Sequence, residues 1–341
     1  VTHAFNFHLP SSLNATQPPE RRGVRRDHVR MMVLDKSSGH INHDRFINLE
    51  KHLQPGDLLV LNNSRTLPAV LTATRKRHNE RTPTRIEIRL ARRISENTWD
   101  VLPVGEEVRN EDILEFLPEL SAKVITEVSG SPIKTICFTK KGADLLERIY
   151  SIGEPIRYEY IYQDWPLEYY QTVFASKPGS VEMPSAGRAF SWEVLFKLQK
   201  KGVRLAFIQL HTGLSYLLDD KWNTSPEENN EEFAIESTVM KNIYETKVSG
   251  GRVIAVGTTV VRALETAAKT GDLSGWTNLY IHNKYPLKIA DGILTGFHEP
   301  KASHLDMLEA FVPRPLLFSA YEKAIKHGYL WHEFGDMNLI L

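Results

Sequence analysis

Cysteine is almost missing from this chain of 341 residues: Cys137 is the single thiol, so no disulfide framework exists within it and a reducing compartment is the expected setting. Long hydrophobic runs are missing as well. No stretch reaches the roughly 18 apolar residues that cross a bilayer, and Val1 to Pro10 lacks a charged segment leading into an apolar one, which speaks against a secretion signal. The chain therefore reads as cytoplasmic, with no membrane partner. Neither GxGxxG nor a Walker A sequence occurs, which disfavours nicotinamide and nucleoside triphosphate chemistry. The 13 His form no HExxH and the lone Cys allows no CxxC, so no metal site is expected. Ser180 and Ser185 sit in the loop Pro178 to Phe190 without a GxSxG elbow, which argues against a serine nucleophile.

Net charge is also zero, with 42 Lys and Arg against 42 Asp and Glu, but its distribution is uneven. Residues 1 to 100 hold 17 basic and 10 acidic side chains, leaving the remainder acidic by the same margin. A basic front suits a phosphate backbone, which needs several cations to displace its counterions; two solvated surfaces would look the same. Arg21, Arg22, Arg25, Arg26 and Arg30 read equally as a loop ordered by substrate and as ordinary surface.

At this length one core usually divides, and the periodicity changes where two domains would meet. The apolar run Gly56 to Leu61 before Asn62-Asn63-Ser64 reads as a buried strand feeding a polar loop. From Thr84 to Leu90, Ile86, Ile88 and Leu90 alternate with charged residues, as in a half-buried strand. Trp99 to Val104, Ala122 to Val128 and Ile133 to Phe138 add short β segments, so residues 69 to about 150 predict an antiparallel β unit inserted into the rest of the chain. Cys137 reads as a small core residue there. Residues 1 to 68 and 151 to 341 then form the main domain, where strand, loop and helix alternate. Ser191 caps and Gly202 ends a helix before the strand Arg204 to Leu210; Arg252 to Val256 precedes Gly257-Thr258-Thr259 and the helix Val260 to Lys269. Leu279 to His282 and Ile289 to Phe297 read as extended, Ser303 with Asp306 as a capping box for a helix to Phe311, and Phe318 to His327 as a helix closed by Gly328. The fold class is α/β, with a parallel-strand core whose loops at the carboxyl ends are where chemistry is sought.

The Gly257-Thr258-Thr259 loop opens a helix after a strand, so its N–H groups suit a carboxylate or phosphate; a plain cap is the simpler alternative. His211 and His298 each follow a strand, where both rings can enter one cleft as acid, base or donor, or remain structural. Asp291 and Asp336 lie in turns and can orient those rings or cap N–H groups. The aromatic group Tyr158, Tyr160, Tyr162, Trp165, Tyr169, Tyr170 and Phe174 suits either a domain interface or stacking on bases and cations. The acidic loop Pro226 to Glu232 reads as exposed.

The run from Gly250 to Thr259, followed by Val261-Arg262, Leu264-Glu265 and Gly275-Trp276, resembles the signature of the S-adenosylmethionine:tRNA ribosyltransferase-isomerase family of queuosine biosynthesis. Phe5 to Pro10, Pro55 to Asn62 with Arg65 and Pro68-Ala69, Tyr170 to Ala175, Gly179 to Val181, Leu210-His211 with Gly213-Leu214, Asp291, Phe297-His298 and Gly335-Asp336 fit the same family in the same order. The resemblance implies a fold of an α/β domain with an inserted barrel. It also implies an enzyme that uses S-adenosylmethionine as substrate, with no bound cofactor, and tRNA as partner. The ribosyl unit would pass to the aminomethyl group of 7-aminomethyl-7-deazaguanine and rearrange to an epoxycyclopentane, releasing adenine and methionine. Such chemistry needs a base beside the sulfonium, an acid to help adenine leave and aromatic faces for the cation. The resulting assignment is Glu231 or His211 as base, Arg65 and Arg262 for anions, Gly257, Thr258 and Thr259 for a carboxylate, with Asp291, His298 and Asp336 in support.

The sequence departs from the family pattern in loops. A usual His is Ala189 and the residue before it is Arg188; the usual His-x-Met-His-Ser-Glu keeps only its last carboxylate, Glu231, with Asn229-Asn230 ahead of it; Ser64, Val70, Glu299 and Ala302 also differ. Such changes suit an altered acceptor. Two alternatives follow: a diverged paralogue that uses S-adenosylmethionine with a small acceptor or none, and a non-catalytic binding protein on the same scaffold.

Overall fold

A computed structural model describes residues 5–78, 80, 82–127, 131–215 and 229–341. A hairpin of β1 (Arg30–Leu34) and β2 (Ile41–Arg45) precedes β3 (Leu58–Asn62) and the short β4 (Ser64–Thr66). Six strands follow: β5 (Val70–Lys76), β6 (Thr84–Arg93), β7 (Thr98–Val104), β8 (Ile113–Leu117), β9 (Leu120–Glu127) and β10 (Lys134–Phe138). Next come α1 (Gly142–Ile152), β11 (Lys177–Ser180), α2 (Trp192–Lys201), β12 (Arg204–Leu210), β13 (Glu231–Ala234), α3 (Ser237–Val248) and β14 (Val253–Val256). The rest is α4 (Thr258–Thr270), β15 (Ser274–Thr277), β16 (Gly292–Gly296), α5 (Ser303–Leu308), α6 (Arg314–Lys326) and β17 (Met337–Ile340).

Leu58 to Leu61 form an unbroken apolar run because β3 is central in a nine-stranded sheet and covered on both faces. Leu58 and Val60 face the core shared with α3 and α4, whereas Leu59 and Leu61 point the other way, into the core shared with α2 and the turn at Phe46–Lys51. The order is β15-β13-β12-β3-β14-β16-β17-β1-β2, and the neighbours β12, β3, β14 and β16 are mutually parallel. Ser191 caps α2 by accepting the Val194 N–H at 3.2 Å, and Gly202 ends it at φ 93°. The fold is thus mixed α/β.

The other six strands close an antiparallel barrel in the order β10-β7-β6-β5-β8-β9. Ile86, Ile88 and Leu90 fill its interior, as their alternation predicts. Its neck is zipped where Val70 and Glu154 exchange two backbone hydrogen bonds of 2.9 Å. Cys137 differs from expectation: Ile136 and Phe138 take the inward positions, so the pleat turns the thiol outward, half-buried beside Asn97.

Four boundaries also differ. Leu279 to His282 is loop, and the strand before it is β15. Ser303 does not cap α5, because Ala302 is the cap residue and Asp306 accepts from the Tyr280 hydroxyl instead; α5 ends at Leu308. Helix α6 starts four residues early, since Pro315 tolerates a first turn whose N–H groups have no helical acceptor. The same freedom lets α4 begin at Thr258. The five N-terminal arginines are tied to the fold: Arg25 pairs with Asp27 and Glu193, Arg26 with Glu20 and Arg30 with Asp336, Arg22 donates to the Phe334 carbonyl, and Arg21 lies over the rings of Trp165 and Tyr169.

Glu265 on α4 is fully buried and accepts the N–H groups of Lys288, Ile289 and Ala290 at 2.8 to 3.2 Å, fixing the segment that enters β16. Glu265→Ala strands three donors, and denaturant unfolding should show a loss of about 3 kcal/mol or more.

Candidate functional site

The strands β12, β3, β14 and β16 deliver their carboxyl ends to one edge of the sheet, and the loops that follow line two adjoining cavities of about 340 and 460 Å³. Tyr158, Glu182, Ser215, His298 and His304 belong to both and form their common wall. Among the described residues no group of three or more His, Cys, Asp or Glu is arranged to hold a metal ion.

The smaller cavity is built on the start of α4. Gly257 has φ 101°, and a side chain there would come within 3.1 Å of the Ala186 methyl carbon, so both backbone and space demand glycine. Helix geometry leaves the N–H groups of Thr258 and Thr259 without intrahelical acceptors, at the positive end of the dipole. Opposite them, Glu231 opens β13, and Arg262 from the second turn of α4 places Nη2 at 2.6 Å from its Oε2. Burial raises the Glu231 pKa, while Arg262 and the Gly213 N–H oppose that rise. The arrangement is a carboxylate kept more basic than one in water.

On the common wall Glu182 accepts from the Tyr158 hydroxyl at 2.5 Å and from the Ser215 N–H at 2.7 Å, and burial raises its pKa. His298 and His304 stack at 4.7 Å and 8°, and His298 Nε2 lies 2.9 Å from Thr295 Oγ1. Burial lowers both imidazole pKa values, His304 to about 4, so the pair is neutral. In the larger cavity Tyr160 lies on the His332 ring at 4.0 Å and donates to Glu333 Oε2 at 2.8 Å. Glu333 Oε1 has no hydrogen-bond partner among the described residues.

Six of the ten residues singled out by sequence meet here: Glu231, Gly257, Thr258, Thr259, Arg262 and His298. The other four do not line either cavity. His211 is enclosed behind the wall, its Nδ1 2.7 Å from Ser64 Oγ, which in turn lies 2.5 Å from Ser180 Oγ. Burial lowers its pKa to about 4, with Arg93 adding to the effect. Asp291 sits at the opposite, amino end of the strands, where it accepts the Val253 N–H at 2.9 Å and pairs with Lys247. Asp336 accepts the N–H groups of Arg30 and Leu330 at 2.8 and 2.7 Å. Arg65 is exposed, with its guanidinium over the Tyr150 ring.

Sequence reasoning passes over Glu182, His304, His332 and Glu333, which lie in irregular segments or a short helix and carry no motif. Tyr158 and Tyr160 were visible as part of the aromatic group. Of the positions that depart from the family pattern, Ala189 is buried in the core with Phe46 and Phe190, and Arg188 is buried and paired with Glu20 at 3.0 Å; neither lines a cavity. Asn229, Glu299 and Ala302 do line the cleft. Of the acidic loop Pro226 to Glu232, residues 226–228 lie outside the described residues, and Glu231 and Glu232 differ from expectation: they open strand β13, where pairing with β12 and β15 buries Glu231.

A family model described as "Queuosine biosynthesis protein" matches residues 2–340. The S-adenosylmethionine:tRNA ribosyltransferase-isomerase of a Sulfurihydrogenibium strain is 36% identical over 99% of this chain and 98% of its own. The protein of the same name from Aquifex aeolicus is 35% identical, with the same coverage of each. A crystal structure of S-adenosylmethionine tRNA ribosyltransferase from Thermotoga maritima is 30% identical, with a TM-score of 0.57 over 99% of both chains.

Two predictions follow from the site's packing and charge. A Cβ at Gly179 would lie 2.6 Å from three atoms of the His211 ring, so Gly179→Ala should displace the imidazole and lower the melting temperature by several degrees. Burial raises the Glu333 pKa from its ordinary 4.5 to about 8. The folded state therefore holds a proton that the unfolded chain releases, and this contribution, full below about pH 4.5, is lost as pH rises towards 8. Glu333→Gln removes that slope: in melting scans its advantage over wild type should widen from pH 5 to pH 8, and a constant gap would contradict the assignment.

Proposed function

The chain belongs to the queuosine biosynthesis family, and we propose that its cleft moves the ribosyl unit of S-adenosylmethionine onto a 7-aminomethyl-7-deazaguanine in tRNA. The unit is rearranged to the epoxycyclopentane of epoxyqueuosine, with adenine and methionine released. The protein is a S-adenosylmethionine-dependent ribosyltransferase-isomerase, a transferase that works in the cytoplasm, where its tRNA is. No helix among the described residues is long and apolar enough to cross a membrane. Residues 1–68 and 151–341 form the catalytic domain, and 69–150 the inserted barrel.

One observation carries the assignment of roles: a buried carboxylate, Glu231, faces the open start of α4 within a single cleft that also holds aromatic rings and neutral imidazoles. The Thr258 and Thr259 N–H groups receive the donor's methionine carboxylate, and Arg262 keeps Glu231 ionised and oriented. Glu231 takes the proton from the carbon beside the sulfonium, whose charge acidifies that carbon. Tyrosine faces stabilise the sulfonium by about 0.5 to 2 kcal/mol each. Glu231 is favoured over His211 as base because the His211 ring is closed off by Ser64 and Gly179. The buried position of Ala189 weakens the case for an altered acceptor, since the imidazole missing there would enter the core rather than the cleft.

Pure protein mixed with S-adenosylmethionine should stay inert until tRNA bearing the aminomethyl base is added; mass spectrometry should then detect adenine and methionine. Release of adenine without RNA would instead favour the diverged paralogue. Glu231→Gln should lower turnover at least about a hundredfold, and near-normal activity would remove it as base. tRNA affinity should fall steeply as salt rises.

A further inference from the structure

Ribosyl transfer brings two substrates together, and the cleft has two chambers with one wall in common. The chambers differ in charge. The smaller holds the open start of α4, which suits the carboxylate of an amino acid, and Arg262, whose charge is taken up by Glu231. The larger has no Lys or Arg among its described lining residues, but four Glu: Glu159, Glu182, Glu299 and Glu333. It offers no cation to an anion, and its carboxyls turn into acceptors once a positively charged ligand lets them ionise.

Its walls are also flat. The Tyr158 and Tyr160 rings are parallel within 9° at 5.6 Å, and Tyr160 and His332 within 13° at 4.0 Å, giving a tier of three rings along one side. Beside that tier the hydroxyl of Tyr160 fixes Glu333 through Oε2, while Oε1 is buried with no hydrogen-bond partner among the described residues. A stacking face next to an unused acceptor matches a planar ligand whose edge donates hydrogen bonds. A guanine-type base has that edge, N1–H beside the 2-amino group, and an aminomethyl arm, cationic in water, adds a positive charge.

Resting on the ribosyl-transfer reading, we propose that the larger chamber receives the acceptor base swung out of its RNA strand. Tyr160 and its ring tier stack on that base, and Glu333, ionising as the cationic aminomethyl arm enters, accepts its N–H groups at Oε1. The donor occupies the smaller chamber, and the common wall of Glu182, Ser215 and His298 is where the two substrates meet. Removing a base from its stack is unfavourable, and the new stacking face and hydrogen bonds offset that cost.

The test separates the two substrates. Steady-state kinetics with tRNA bearing the aminomethyl base, and calorimetric titration with S-adenosylmethionine, are run on wild type, Glu333→Gln and Tyr160→Leu. Both variants should lose about tenfold or more in kcat/KM for tRNA, mainly through KM, and bind S-adenosylmethionine within about twofold of wild type. Retained donor binding also shows that each variant is folded, and Tyr160→Leu carries the test if Glu333→Gln does not fold. Unchanged KM for tRNA in the folded variants overturns the proposal, as does a tenfold loss of donor affinity, which would place the donor's adenine in this chamber. A wild type that binds donor but transfers nothing to tRNA would instead overturn the ribosyl-transfer reading, and this subsite with it.

Discussion

A carboxylate sealed from water stays charged only if a cation stands beside it, and here Arg262 lies 2.6 Å from Glu231. Removing one member of such a pair typically costs 3 to 5 kcal/mol, because the other is left buried and uncompensated. The pair does more than neutralise charge. It joins the first residue of β13 to α4, and β13 is a four-residue strand held between β12 and β15. Position of this short strand, direction of the helix and orientation of the Glu231 carboxylate are therefore set by one contact.

Burial then acts on carboxyls and imidazoles of the cleft with opposite signs. It raises Glu182 and Glu333, the latter to about 8, and lowers His298, His304 and His332, so Glu333 holds its proton and the imidazoles lose theirs. The cleft carries far less charge at neutral pH than its residue count suggests. A cationic donor and a base that must lose a proton both suit such a site, because carboxyls can ionise when positive charge arrives.

Much of the scaffold is legible along the chain. The run at β3, the alternation in β6 and the capped and closed helix α2 each follow from short-range rules that burial reinforces. The site is legible only in part. Gly257, Thr258, Thr259 and Arg262 belong to a strand-loop-helix unit whose geometry is local, and Glu231 survives in a pattern shared with relatives. His211 shows the limit: it follows a strand as His298 does, but its ring turns towards Ser64, and strand periodicity does not encode the direction of the first loop residue. Asp291 fails for another reason, since a turn before a parallel strand lies at the wrong end of the sheet, and only strand order reveals which end that is.

What the sequence determines by itself is the kind of layers this protein has, because hydrophobic period and turn residues act over a few positions. The meeting of Glu182, His304, His332 and Glu333 was decided by tertiary structure alone. These residues come from segments up to about 150 positions apart, and their pKa values depend on what surrounds them. Burial is a property of the assembled cleft, so neither their proximity nor their protonation is written in any stretch of neighbouring residues.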